Sequence, residues 1–259
     1  MTGADRLAPR EHGPRPGADH RGPTGPTRPD EPDGQDSPDS PVGGPPKSAV
    51  LPAAPRAWLG LIAALAALTV LVLGFRYAGH SGPGTVDAWI QSSVDGVRAP
   101  WRRVALAIDF LGEPAGAAAL VAAAVTGCLV RRWPRAAVLI VVATGLTVAT
   151  TTMVKPLAGR TIHGEHLSYP SGHTGFLTAF AVTVALLAIG RRGLGGMAAV
   201  SLVLATALVA GAAMGWAQVA LGAHYPTDTL GGWCVALAAV PVSAWLVDRT
   251  AGTLRERYR

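Results

Sequence analysis

The stretch YPSGHTGF, Tyr169 to Phe176, opens onto the apolar run LTAFAVTVALLAIG. Ser171 is a natural N-cap for a helix beginning there, and Gly172 lets backbone approach closely. The free N–H groups and positive end of that helix suit an anion such as phosphate, with His173 in the first turn aimed at whatever the anion carries. The plainer alternative is a serine cap with an interfacial histidine beside it. A second stretch, HYPTD, joins His224 to Asp228. Pro226 suits a first helical turn, so Asp228 belongs in that turn with His224 just before it. A carboxylate bonded to one imidazole nitrogen fixes the tautomer and leaves the other nitrogen as base or nucleophile. Here the alternative is an aspartate cap with a nearby histidine. Lys155 closes an apolar run, where a cation complements a helix C-terminus or snorkels to an interface. Arg160 follows as a further anion ligand or a surface charge.

The elements that position these residues are apolar and long. The 259-residue chain is 49% hydrophobic and 15% charged, with a mean hydropathy of +0.33. A soluble domain has about a quarter of its residues charged. Six stretches approach the ~20 residues that a membrane span needs: Ala57–Phe75, Pro114–Val130, Ala136–Val154, Thr174–Gly190, Met197–Trp216 and Leu230–Val247. The second is Ala-rich and the shortest. Gly and Ala recur in all of them, which suits close helix packing in a bilayer. The predicted fold class is an all-α integral membrane protein: a six-transmembrane-helix bundle over 51–250, with a disordered Pro/Gly-rich tail at 1–50 and a basic tail at 251–259. Residues 1–50 are too polar and proline-rich to offset their ordering entropy. No apolar stretch follows the first basic residues, so no signal peptide is expected.

Orientation follows from the arginines of the short loops. Arg131, Arg132 and Arg135 lie between spans two and three, Arg191 and Arg192 between four and five, and Arg249, Arg255, Arg257 and Arg259 after span six. These loops and both termini are expected in the cytoplasm of a multi-pass plasma-membrane protein. The loops after spans three and five, with Lys155, Arg160, Ser171, His173, His224 and Asp228, then share the outer face. The first outer loop carries VDAWIQSSVDGV and WRRVALAIDFL, whose mixed spacing suggests short interfacial helices. A net charge of +6 reads as cytoplasmic Arg/Lys retention, and no basic–aromatic alternation points to nucleic acid. Cys128 and Cys234 fall in separate apolar blocks near opposite faces, so neither a disulfide nor a thiolate metal site is expected.

Together these segments resemble the type 2 phosphatidic acid phosphatase (PAP2) superfamily. Its motifs are Lys, six residues, Arg-Pro; then Pro-Ser-Gly-His; then Ser-Arg, five residues, His, three residues, Asp. Pro170–His173 is the second motif intact, His224 and Asp228 complete the third, and Lys155 stands at the first motif's distance from PSGH. The resemblance covers about residues 57–248, including the six-span layout. It implies a membrane-embedded lipid phosphate phosphatase, with no metal or cofactor. His224, oriented by Asp228, would attack phosphorus to form a phosphohistidine. His173 would protonate the leaving alcohol, and Lys155, Ser171 and Gly172 would hold the phosphoryl oxygens. Implied partners are the bilayer and a lipid phosphate: phosphatidate, phosphatidylglycerol phosphate or a polyprenyl (pyro)phosphate. The pattern leaves oligomeric state open.

Two arginines depart from the pattern. The first motif's Arg-Pro falls on Ile162-His163, and the third motif's Ser-Arg on Ala217-Gln218. In the family both arginines hold phosphate; two such bonds would be worth about 3–6 kcal/mol. Arg160 is expected to substitute in part, and Gln218 to donate one neutral hydrogen bond to the phosphate. Two readings compete: a lipid-phosphate binding protein without turnover, and phosphoryl transfer to another alcohol by the same residues. A metal site built from His163, His166, His173 and His224, with Glu165 or Asp228, is disfavoured by the Gly-interrupted loop and the absence of an HExxH helix.

Overall fold

The computed structural model describes residues 56–94 and 96–257; the expected N-terminal tail lies outside them. Eight helices follow in chain order: α1 (Arg56–Arg76), α2 (Thr85–Val94), α3 (Trp101–Phe110), α4 (Pro114–Val130), α5 (Pro134–Ala158), α6 (Gly172–Arg192), α7 (Gly196–Ala220) and α8 (Pro226–Arg257). Between α5 and α6 a small antiparallel hairpin pairs β1 (Thr161–Ile162) with β2 (His166–Leu167). His163 and Gly164 turn it, with φ of 51° and 91°.

Helices α1, α5, α6, α7 and α8 are each long and apolar enough to cross a membrane. The second predicted span, α4, has only 17 residues. It follows α3 across a 60° bend, and the pair makes a sixth span where it is counted as one. The bend has a local cause. Pro114 occupies the first helical position and forces Glu113 into an extended conformation, which α3 cannot continue through. The expected interfacial helices are α2 and α3, and their Trp89 and Trp101 are exposed.

Burial follows the helix period. Leu61, Leu65, Leu68, Val72 and Phe75 form one exposed stripe on α1, the face a lipid-embedded helix presents outward. Its buried Leu59, Ala66 and Val70 join a core with Leu139 of α5, Leu186 of α6, Val203 of α7 and Val240 of α8. Helix α6 packs against α5, α7 and α8, and α8 in turn packs against α1, α5, α6 and α7. Small residues allow this. A Cβ on Gly232 of α8 would collide with the Ser171 carbonyl, and one on Gly175 of α6 would press on the Gly232 carbonyl. The first turns of α6 and α8 therefore touch backbone to backbone. The end that carries the polar loops is pinned by hydrogen bonds: Gly79 N–H to Ala158 O at 2.9 Å, Thr161 N–H to His80 O at 3.0 Å, and Ser171 N–H to Asp228 O at 2.9 Å.

Candidate active site

Local sequence sets the frame. Ser171 caps α6 with its hydroxyl accepting from Thr174 N–H, and Asp228 sits in the first turn of α8. Gly175 N–H starts the helical ladder on the Ser171 carbonyl. That leaves the Gly172 and His173 N–H groups, with the positive end of the helix, directed at the site. The Ser171 N–H bond to Asp228 O ties one motif directly to the other. His173, two residues after Ser171, and His224, four residues before Asp228, thus lie at the same end of the bundle. Lys155, one turn from the end of α5, donates from Nζ to Leu167 O at 3.1 Å.

His224 is buried. Its Nδ1 faces Asp228 Oδ2 at 3.7 Å, beyond a hydrogen bond, and this nitrogen has no partner. The direct bond expected from HYPTD is thus an open contact. Asp228 spends its oxygens elsewhere: Oδ2 accepts from Tyr225 N–H at 3.0 Å, and Oδ1 from Arg160 at 2.6 Å. Catalytic hydrogen bonds are often long before substrate binds.

Arg160 requires a correction. It was expected in the phosphate cradle, but its side chain is 0% exposed and ion-paired on both sides, to Asp228 and to Asp87 at 2.6 Å each. Its guanidinium is stacked between the rings of Tyr77 and Tyr225, 4.1 and 4.5 Å from their centroids. Only Nε lacks a partner. Arg160 holds Asp228; it does not face an open site. Asp87, on α2, also accepts from Thr227 N–H and Oγ1, at 2.9 and 2.8 Å, and from Gly84 N–H at 3.0 Å. Burial opposes its ionisation. The hydrogen bonds from Thr227, Arg160 and Gly84 outweigh that and hold its carboxyl below the usual value. Burial pushes the Tyr225 phenol up, against the pull of Arg160.

Gln218 is the second correction. Its amide donates to Asp109 Oδ1 in a very short contact and lies 3.9 Å from Met214 Sδ. At 1% exposure it has no face toward a phosphate. Asp109, near the end of α3, also stands 3.8 Å from His173 Nε2. Asp87 and Asp109 were both missed from the sequence. The signal was a carboxylate in each of the two short helices of the first loop, Asp87 in TVDAWIQSSV and Asp109 in WRRVALAIDF. His163 instead contacts Gly222 O through Nε2 at 2.8 Å. Among the described residues, no three His, Cys, Asp or Glu side chains converge as a metal site would require.

Residues 136–251 match a family model described as the PAP2 superfamily. Among solved structures, the first transmembrane PAP2 type phosphatidylglycerolphosphate phosphatase from Bacillus subtilis superposes with a TM-score of 0.57 at 20% identity. The alignment covers 74% of this chain and 96% of that one. Comparison with curated proteins gives no match.

Proposed function

We propose, from the match of residues 136–251 to the PAP2 superfamily model, that this multi-pass membrane protein hydrolyses a lipid phosphate through a phosphohistidine on His224. The observation that carries the reading is the joining of the two helix starts by the Ser171–Asp228 bond, which puts the segments that carry His173 and His224 at one end of the bundle. With Nδ1 turned toward Asp228, Nε2 of His224 is the nucleophile. Its lone pair forms the P–N bond as the P–O bond to the alcohol breaks, and His173 gives that oxygen its proton. Water then attacks phosphorus, His173 takes the proton, and the P–N bond breaks to release phosphate. Lys155 and the N–H groups of Gly172 and His173 hold the phosphoryl oxygens, with Ser171 capping the helix that presents them. These donors oppose the negative charge carried through the transition state. No step needs a metal. The bilayer delivers the substrate: phosphatidate, phosphatidylglycerol phosphate or a polyprenyl (pyro)phosphate, reached from the outer face.

A second reading, lipid-phosphate binding without turnover, is favoured by one observation: Arg160 and Gln218 are both committed to carboxylates. One experiment separates the two. Purified protein in detergent, with EDTA present, is assayed for phosphate release across these lipid phosphates. The hydrolase reading expects release by wild type and only background from His224→Ala. Equal rates for the two proteins would sink it.

A further inference from the structure

Where the superfamily pattern has a phosphate-gripping arginine, this chain has Gln218, and its amide is bonded to a carboxylate. That carboxylate, Asp109, is 20% exposed, and the same oxygen stands 3.8 Å from Nε2 of His173, itself 31% exposed. A negative charge therefore lies beside the imidazole that faces the leaving group. Nothing nearby on its own helix offsets it. Arg102, on the same face of α3, is two turns away, about 10 Å along the axis. Across the site, Arg160 is outnumbered by the two buried carboxylates it bridges, Asp87 and Asp228. Lys155, the positive start of α6 and the proton that His173 carries for the leaving group are what remain to offset the phosphoryl charge.

Such a balance disfavours a doubly charged phosphoryl group. We propose that Asp109, held in place by Gln218, is a specificity-determining residue that makes this site select a phosphoryl group carrying one negative charge. Two lipids supply that chemistry: a phosphomonoester in its monoanionic form, and a phosphodiester, which is a monoanion at every working pH. The inference rests on the reading of His173 and His224 as the phosphoryl-transfer pair. With a phosphodiester the same bonds exchange: P–N forms at His224, one P–O bond breaks, His173 protonates the departing alcohol, and water releases a phosphomonoester.

The test is binding first and turnover second. Full-length protein in detergent is titrated with dioctanoyl phosphatidate and dioctanoyl phosphatidylglycerol at pH 8, above the second phosphate pKa of about 6. Wild type is expected to bind the diester more tightly. Asp109→Asn should shift the affinity ratio toward the dianion on the order of tenfold, the effect of one unit charge roughly 6 Å away in a half-wet site. Repeating both titrations at pH 5.5 separates the sources: the monoester should gain affinity relative to the diester as it becomes a monoanion, with the diester at the same pH as the control for protonation of the protein itself. Gln218→Arg, which neutralises Asp109 in place, should move the ratio in the same direction. An unchanged ratio in both variants overturns the selection by Asp109, whatever the turnover. A shifted ratio with no turnover of any lipid overturns the hydrolase reading and leaves charge selection standing.

Discussion

Arg160 carries the most consequence of any single residue. A buried guanidinium between two carboxylates and two aromatic rings is expensive to assemble and more expensive to break. Removing it leaves Asp87 and Asp228 as uncompensated buried charges. Arg160→Ala is therefore expected to lower stability by about 3–5 kcal/mol, read as faster thermal inactivation in detergent. KM at low temperature should hold near wild type. A variant that melts like wild type but raises KM tenfold would return Arg160 to the phosphate cradle. The pH dependence follows from Asp87. Its carboxyl titrates lower folded than unfolded, so its contribution is present above the unfolded value of about 3.9. It is lost as pH falls through the folded value. Acid should thus weaken wild type below about pH 4, and Asp87→Asn should flatten that limb while lowering stability at neutral pH. The sequence could show PSGH and HYPTD because each is a local pattern within a few residues. It could not show what Arg160 meets, since Asp87 and Asp228 lie 73 and 68 positions away. Only the folded bundle decides that a cation two residues from a vacant motif position turns inward.

At the scale of elements, the site depends on how closely α6 and α8 cross. The length of the apolar runs placed the long spans well because a helix needs about 20 apolar residues to cross the hydrocarbon. It set boundaries less well. Helix α8 begins at Pro226 and runs to Arg257, beyond the apolar run Leu230–Val247, because polar first and last turns remain helical outside the hydrocarbon. It also treated α4 as a span by itself, although the chain bends at Pro114 after α3. The Gly175–Gly232 crossing has a cost when filled. Gly232→Ala would drive a methyl group into the Ser171 carbonyl, and overpacking of this kind costs typically 1–3 kcal/mol. The displaced residue is the cap of α6, bonded through its N–H to Asp228. Both a lower melting temperature and reduced phosphate release are expected. Gly60→Ala on α1, where a new Cβ meets nothing within 4 Å, is the matched control and should change neither. Equal effects from the two substitutions would remove the crossing as the reason the motifs meet.

For the whole molecule, the decisive quantity is which end of the bundle carries more arginine and lysine residues. Arg131, Arg132 and Arg135 flank the α4–α5 turn, Arg191 and Arg192 end α6, and Arg249 lies in the last turns of α8. At the opposite end Arg160 is cancelled by two carboxylates. The loop after α5 therefore offers less uncompensated charge than its sequence suggests, and the asymmetry on which the expected cytoplasmic placement of the arginine-rich loops rests is sharpened. Arg76, Arg98, Arg102 and Arg103 stand against it from the first loop, without outnumbering the other end. The expected topology has both termini inside and the Arg160–Ser168 segment outside with the turn around Ala223. Single cysteines at Glu165 and Ala223, in a Cys128→Ala, Cys234→Ala background, test it by labelling with an impermeant maleimide. Both native side chains are exposed. Glu165 is preferable to its neighbour Gly164, whose φ of 91° would strain a cysteine. Labelling in intact cells is the expected result. Reaction at both positions only after the membrane is opened would invert the molecule, and would move the lipid phosphate it meets to the cytoplasmic leaflet.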